Sequence, residues 1–189
     1  MHSGEPSFHG ATNPDPPLAP AALDTWLRER LGRQMVVAVV AVVAVMVAGA
    51  QSEFAVARIE ESTAPFGEVR LLRRTVTLDS DDAQLAALVA ELAPLDPDAV
   101  LVASASDADA ARQWAVRALA ACEQAGLRDR AFVALLAPGE GIRAQARALG
   151  FEDGFAQDLP LAALLAVLAR EAVAHDELRR RGSSPPCYL

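Results

Sequence analysis

Met35–Ala50 reads MVVAVVAVVAVMVAGA, 16 residues without a charged or polar side chain. Its many valines favour a β-strand, because β-branched side chains fit an extended backbone better than a helix. Both faces of such a strand are apolar, which is typical of a central strand in a parallel sheet covered by helices on both sides. We therefore predict a strand over Met35–Val42, followed by a turn and an apolar helix that ends near Glu61.

A membrane span is the alternative interpretation of the same stretch. A helix needs about 20 apolar residues to cross a bilayer, and Met35–Ala50 supplies 16. A single strand of that length would be exceptional, which is why the predicted strand ends at Val42. We expect the buried strand of a cytoplasmic protein and keep the membrane segment as the less favoured alternative.

Upstream of this stretch, the chain divides into a leader and a short helix. Residues 1–20 contain five prolines and no apolar periodicity, which predicts a disordered leader. They lack the basic start and apolar core of a signal peptide. Residues 21–33 are predicted to form an amphipathic helix that docks on the body. Its apolar face carries Leu23, Trp26, Leu27 and Leu31.

Downstream, segments typical of strands alternate with segments typical of helices. The further predicted strands are Val69–Leu78, Ala99–Ala103, Ala131–Leu136 and a short one within Phe151–Ala156. The charges in Val69–Leu78 indicate a position at or near a sheet edge. The alternation predicts a parallel sheet of about five strands, with about five helices, in a doubly wound, flavodoxin-like α/β fold preceded by an N-terminal helix. This domain would span residues 35–181, with residues 182–189 as a tail.

Composition and charge exclude several classes of function. The net charge is −8 and aromatic residues make up 5% of the chain, so neither a phosphate-binding basic surface nor stacking platforms for nucleic acid are expected. The two cysteines, Cys122 and Cys187, make no disulfide framework, and neither has a partner at the spacing of metal ligands. We expect no metal site.

Three weaker motifs have structural interpretations that we favour. The aspartates of Asp79–Asp82 could form an acidic phosphoacceptor pocket, but such a pocket also needs a lysine and the chain has none; helix capping is the favoured reading. The arginines of Arg70–Arg74 could bind an anion, although a solvated strand face explains them. Pro138–Gly141 could present amides to a phosphate but lacks a full glycine-rich motif, which favours a plain turn.

Several segments together resemble a known family. They are Pro97–Val102 (PDAVLV), Gly126–Arg130 (GLRDR), Ala131–Leu136 (AFVALL), Ala148–Phe151 (ALGF) and the pair Gly154–Phe155. In combination they are similar to the cobalamin-binding domain of the lysine 5,6-aminomutase and ornithine 4,5-aminomutase family, over roughly residues 35–180. The resemblance implies cobalamin as the cofactor.

The resemblance also implies a particular mode of binding. In that family an Asp-x-His-x-x-Gly loop after the first strand supplies a histidine to cobalt and displaces the cofactor's own base. Its aspartate orients the imidazole through the other ring nitrogen. A serine or threonine after the third strand and a Gly-Gly pair after the fourth shape a channel for the nucleotide tail.

This chain departs from that pattern at the metal. With Gly49 as the motif glycine, Met46 takes the histidine position and Ala44 the aspartate position. The serine position falls at Ala103 or Ser104, and the glycine pair at Ala137–Pro138 or, with a shift, at Gly139 or Gly141. The candidate cofactor-binding residues are therefore Met46, Gly49, Ser104, Ser106, Gly139 and Gly141. We expect Met46 to be a core side chain rather than a cobalt ligand.

Two functions follow as hypotheses. The first is a cobalamin-binding module, similar to the small-subunit domain of adenosylcobalamin-dependent aminomutases but without the histidine ligand. The second is a degenerate, non-catalytic subunit that no longer binds cobalamin and serves interaction within a larger assembly. Either hypothesis predicts a protein partner or a homo-oligomer. No nucleophile–base pair is visible, so we expect no catalysis by the chain alone.

Overall fold

The computed structural model describes residues 20–42, 69–104, 106 and 108–181. The strands are β1 Met35–Val42, β2 Val69–Val76, β3 Ala99–Ala103, β4 Phe132–Ala137 and β5 Asp153–Ala156. The helices are α1 Pro20–Leu31, α2 Asp82–Leu92, α3 Asp109–Gln124, α4 Ile142–Ala148 and α5 Leu161–Arg180. A 3₁₀ turn, Ala93–Leu95, extends α2.

The five strands form one parallel sheet in the order β2-β1-β3-β4-β5. This order confirms the predicted doubly wound α/β fold with an N-terminal helix. All eight residues of β1 are buried, as expected for an inner strand of valine and alanine. The strand β2 lies at the edge of the sheet, as its charged residues predicted. The predicted helix ending near Glu61 falls outside the described residues, as do the leader before Pro20 and the tail after Arg181.

Each face of the sheet has its own apolar core. On one face, α1 and α5 pack over alternate residues of the strands, with Leu27 and Leu168 fully buried. On the other face, α2, α3 and α4 cover the remaining residues, with Trp114 fully buried. The sheet is therefore shielded on both sides, which explains the apolar strand sequences.

Gly154 in β5 allows a close approach between the sheet and α4. A Cβ at this position would lie 2.5 Å from the carbonyl oxygen of Ile142 and 2.6 Å from the Cβ of Ala146. Both distances are shorter than any van der Waals contact, so a larger residue would push α4 away. The first residues of α4 thereby stay close to the carboxyl end of β4.

Candidate functional site

The carboxyl ends of the strands are the place to search for a site in this fold. In a doubly wound sheet, ligands bind beyond these ends, where the strand order reverses. Here the order reverses between β1 and β3. Met46 and Gly49, which follow β1, lie outside the described residues. The described part of this edge is built by the segments that follow β3 and β4.

Ser104 follows β3 directly and is 3% exposed. Its Oγ donates a hydrogen bond to the carbonyl oxygen of Ser106 (2.9 Å) and accepts one from the Ser106 amide (3.3 Å). Its own amide donates to the carbonyl oxygen of Leu136 (2.9 Å), and its carbonyl oxygen accepts from the side chain of Gln157. Ser104 thus joins the ends of β3, β4 and β5, and its hydroxyl is already used within the turn.

The turn after β3 leads to Ala108, the N-cap residue of α3, which makes no side-chain capping hydrogen bond. The Oγ of Ser106 accepts a hydrogen bond from the Ala108 amide (3.0 Å) and so closes the turn one residue earlier. Asp107 lies outside the described residues.

A narrow cleft lies between α3 and α4 at the ends of β3 and β4. Its volume is about 10 Å³, which is room for one water molecule. The lining residues are Ser104, Ser106, Ala111, Arg112, Ala115, Leu135, Ala137, Pro138, Ile142, Gln145 and Leu149. Arg112 and Gln145 are the exposed polar members of this lining, and Arg112 pairs with Asp109.

The loop after β4 contains both candidate glycines. Gly139 has a φ of 111° and Gly141 a φ of 70°, a region that residues other than glycine rarely adopt. A Cβ at either position would meet no atom within 4 Å. These glycines are required by the backbone conformation of the turn, and they leave open space beside it. The motif interpretation and the turn interpretation both accommodate this geometry.

His175, the histidine among the described residues, lies at the edge of the sheet where the strands begin, here called the amino edge. His175 of α5 is 6% exposed, and its Nε2 lies 2.7 Å from Oε2 of Glu152. The other carboxylate oxygen of Glu152 accepts a hydrogen bond from the amide of Val133 near the start of β4 (3.1 Å). Within the described ranges no imidazole reaches the carboxyl edge. These residues therefore do not fit a histidine-coordinated cobalamin.

The described part of the chain contains no cluster of side chains suited to bind a metal ion. There, no group of three or more His, Cys, Asp or Glu side chains could hold an ion. Burial raises the pKa of the Cys122 thiol to about 12, so this cysteine stays protonated and is a core side chain.

The two remaining charged motifs have structural roles. Asp81 caps α2, because its side chain accepts a hydrogen bond from the Gln84 amide (2.8 Å) while the Gln84 side chain accepts one from the Asp81 amide (3.0 Å). The capping interpretation is thus confirmed. Among the β2 arginines, Arg74 pairs with Glu91 of α2 (3.5 Å).

Sequence reasoning missed two contacts between ionisable side chains at the amino edge, in which Asp98 and His175 are the buried members. One is the pair of Glu152 and His175. The other joins Arg33 to Asp98 by two hydrogen bonds of 2.7 and 3.0 Å. The sequence did contain a signal for the burial of His175. Leu168, Ala172 and His175 follow one another at helical spacing, which predicts that His175 lies on the same inward face as the two apolar residues.

Comparisons with known proteins support the fold. No protein-family model matches this chain, and neither does any curated protein. Among solved structures, a cobalamin-binding protein from Desulfitobacterium hafniense DCB-2 superposes with a TM-score of 0.50 and 13% identity, covering 80% of this chain and 67% of that protein. A two-domain esterase active on acetylated mannans gives a TM-score of 0.45 and 11% identity, covering 87% of this chain and 55% of that protein.

At 13% identity, the likeness to the cobalamin-binding protein concerns the fold alone. It agrees with the parallel five-stranded sheet and with the predicted cobalamin-binding-like architecture. The aminomutase family is a finer statement that this likeness does not reach. Across the helices that the structure describes, none combines the length and the apolar character that a membrane crossing requires.

Proposed function

We propose that the chain is a cobalamin-binding module, related to the small-subunit domain of adenosylcobalamin-dependent aminomutases, that binds its ligand without a coordinating histidine. The observation that carries this proposal is the composition of the carboxyl edge. A serine follows β3, two glycines with positive φ follow β4, and a cleft opens beside them. These groups lie at the edge where doubly wound sheets bind their ligands.

The proposed mode keeps the cofactor's own base on cobalt. Displacing that base would require an imidazole at the carboxyl edge and a channel for the displaced tail. His175 lies at the other edge, and the cleft admits one water molecule. A corrinoid that retains its base needs neither feature, because it rests on the rim of the sheet.

Absorption spectroscopy and gel filtration test this proposal directly. Micromolar protein is mixed with aquocobalamin or adenosylcobalamin and separated from free ligand. We expect the corrinoid to co-elute with the protein and to keep the spectrum of the form with its base bound. Failure to retain either corrinoid would exclude the proposed function. A spectrum of the base-displaced form would exclude the proposed mode.

A matched pair of variants tests where on the molecule the corrinoid binds. Gln145 lines the cleft from α4, whereas Ala144 is exposed on the same helix and outside the lining. Gln145 is exposed on the rim beside the cleft, so we expect Gln145→Trp to obstruct the rim and lower corrinoid retention at least about tenfold, equivalent to about 1.4 kcal/mol. Ala144→Trp should retain the ligand as the natural chain does. Equal retention by both variants would place the ligand elsewhere.

The interaction-subunit hypothesis has less support from the described surface. The apolar face of α1 is buried on the chain's own body through Leu23, Leu27 and Leu31. Among the described residues, Val116 is the one large apolar side chain with an exposed surface, at 40%. A protein partner, a homo-oligomer and a cytoplasmic location stay predictions. Co-purification of a defined partner without corrinoid would favour this second function.

A further inference from the structure

The outer side of β2 is a strand edge that the described part of the chain leaves open. β2 runs for eight residues, Val69–Val76, and all of them are in register with β1 on the inner side. No other strand of the described residues pairs with it. The edge strand at the other end of the sheet, β5, has four residues. Natural edge strands are commonly short, because a long edge offers a row of backbone hydrogen-bonding groups to another extended chain.

The side chains of β2 place arginine on both faces of the sheet. Leu72 belongs to the core that α2 and α3 cover, so strand alternation puts Arg70 and Arg74 on that same face. Leu71 packs against the core that α1 and α5 cover, and Arg73 shares its face. The Cα atoms of Arg70 and Arg74 are about 13 Å apart, the length of four residues in a strand. A neighbouring strand with acidic residues at the same spacing therefore meets both guanidinium groups.

The positive charge of β2 contrasts with the rest of the chain. The strand contains three arginines and no acidic residue, whereas the whole chain has 25 acidic and 17 basic residues. Arg70 is exposed and forms no ion pair with a described side chain. Arg74 donates to the carbonyl oxygen of Arg73 (2.9 Å) and lies 3.5 Å from Glu91, whose side chain is 67% exposed. Because such an exposed pair contributes little, Arg70 and Arg74 keep most of their capacity to bind carboxylates.

From these features we propose that the outer edge of β2 binds an extended, acidic segment of a protein partner, which joins the sheet as an additional strand. The backbone of β2 supplies main-chain hydrogen bonds, as in other cases of strand addition. Arg70 and Arg74 supply selectivity, because guanidinium groups form bidentate hydrogen bonds with carboxylates. The partner segment carries aspartate or glutamate at alternate positions, on the face that these two arginines share.

The proposed docking edge is separate from the proposed corrinoid site. The corrinoid site lies at the carboxyl edge around β3 and β4, whereas the docking edge runs along the outer side of β2, beyond β1. Binding of the acidic segment therefore does not require a corrinoid. The two proposals can fail independently, since corrinoid retention reports on one and peptide binding on the other.

Three fluorescent eight-residue peptides test the proposal with the natural chain. The first alternates glutamate and valine. The second alternates glutamate and proline, which keeps the charge but removes half of the backbone donors and disfavours a strand. The third alternates lysine and valine, which keeps the strand-forming pattern and reverses the charge. Fluorescence anisotropy measures the binding of each peptide to increasing concentrations of the chain.

We expect the glutamate–valine peptide to bind saturably and the other two to bind at least about tenfold more weakly. No binding of the first peptide at about 100 µM chain would overturn the proposal. Equal binding of the proline peptide would show charge attraction without strand addition. Equal binding of the lysine peptide would show an edge that does not select acidic residues. Either result overturns the proposal, as does a dimer of the chain alone, seen by sedimentation, that the first peptide dissociates.

A matched pair of charge reversals tests where the peptide binds. Arg70→Glu changes an exposed residue of β2, and Arg170→Glu makes the same change at an exposed residue of α5. Arg70→Glu replaces an attraction by a repulsion, so we expect it to weaken binding of the glutamate–valine peptide about tenfold. It should strengthen binding of the lysine–valine peptide. Arg170→Glu should leave both affinities unchanged, and equal effects of the two reversals would overturn the proposal.

Amide hydrogen exchange tests the mode of binding. In a parallel strand pair, alternate amides of β2 point away from β1 and are not bonded to it. With the glutamate–valine peptide at saturation, we expect exchange of these outward amides to slow, while the amides already paired with β1 change little. Unchanged exchange along Val69–Val76 at saturation would exclude strand addition and overturn the proposal.

Discussion

The two edges of the sheet use polar groups in opposite ways. At the amino edge, buried ionisable groups have a paired side chain, as Asp98 has the more exposed Arg33 and His175 has Glu152. At the carboxyl edge, the buried polar side chains among the described residues are hydroxyls, as in Ser104, and the charged pair of Arg112 and Asp109 is exposed. Titratable clusters often mark functional sites, but here they stabilise the edge away from the expected ligand.

The largest difference we expect between the edges is in solvent access. Cys122 lies in the last turn of α3, which runs toward the amino edge, and burial raises its pKa from 9.0 to about 12. The thiolate fraction is then about a thousandfold lower than for an ordinary thiol. With Cys187→Ser as background, reaction with a thiol reagent at pH 8 should be at least about a thousandfold slower in the folded than in the urea-unfolded chain.

The matched control moves the thiol to the carboxyl edge. Ser106→Cys, combined with Cys122→Ala and Cys187→Ser, places it in the half-buried turn after β3. This variant should react nearly as fast folded as unfolded. Equal protection at both positions would contradict the difference in access.

The next effect concerns the buried charge at the amino edge. Asp98 accepts a hydrogen bond from the Val36 amide (2.8 Å) in addition to the two from Arg33. Asp98→Ala leaves that buried amide unpaired and should lower the free energy of unfolding by about 2 kcal/mol, measured with urea. At the carboxyl edge, Asp109→Ala removes an exposed pair with Arg112 and should cost about 0.5 kcal/mol. Equal losses would contradict the contrast between the edges.

A smaller effect is expected for the hydroxyl at the carboxyl edge. Ser104→Ala removes the hydrogen bonds that the Oγ makes with Ser106, and leaves the amide and carbonyl contacts of residue 104 in place. We expect a loss of about 1 kcal/mol in the free energy of unfolding, by urea denaturation. An unchanged value would mean that the hydroxyl does not hold the turn.

The last prediction concerns the pH dependence of the amino edge. Burial raises the pKa of Asp98 above its ordinary 3.8, against the opposing effects of the Val36 amide and Arg33. The folded chain therefore keeps this proton at pH values where the unfolded chain has lost it. The stability of the natural chain relative to Asp98→Asn should be greatest below pH 3.8 and fall as the pH rises through the folded-state pKa. A relative stability that rises with pH would contradict the prediction.

Much of the fold could be predicted because it depends on local patterns. The valines and alanines of Met35–Val42 identified the inner strand, and the charges of Val69–Leu78 identified the edge strand. Strand ends were less predictable, because backbone hydrogen bonds decide them. The Ala131 amide donates to the carbonyl oxygen of Leu127 (2.8 Å), so Ala131 belongs to a turn rather than to β4.

The candidate site was less predictable than the fold. The sequence named Ser104 but could not indicate that its hydroxyl is used by Ser106 within the turn. The paired charges at the amino edge join residues that are far apart along the chain, 65 positions for Arg33 and Asp98 and 23 for Glu152 and His175. Such contacts arise only when the fold brings distant segments together; helical spacing places His175 on the inward face but does not identify its partner.

The edge strand β2 has a consequence for the behaviour of concentrated protein. It carries Arg70, Arg73 and Arg74 within eight residues. If two copies were to join their sheets along this strand, positive side chains from both would be crowded together, which is unfavourable. The charges on this outermost strand therefore oppose aggregation by strand addition. Because salt screens their repulsion, we expect aggregation to appear first at high salt concentration.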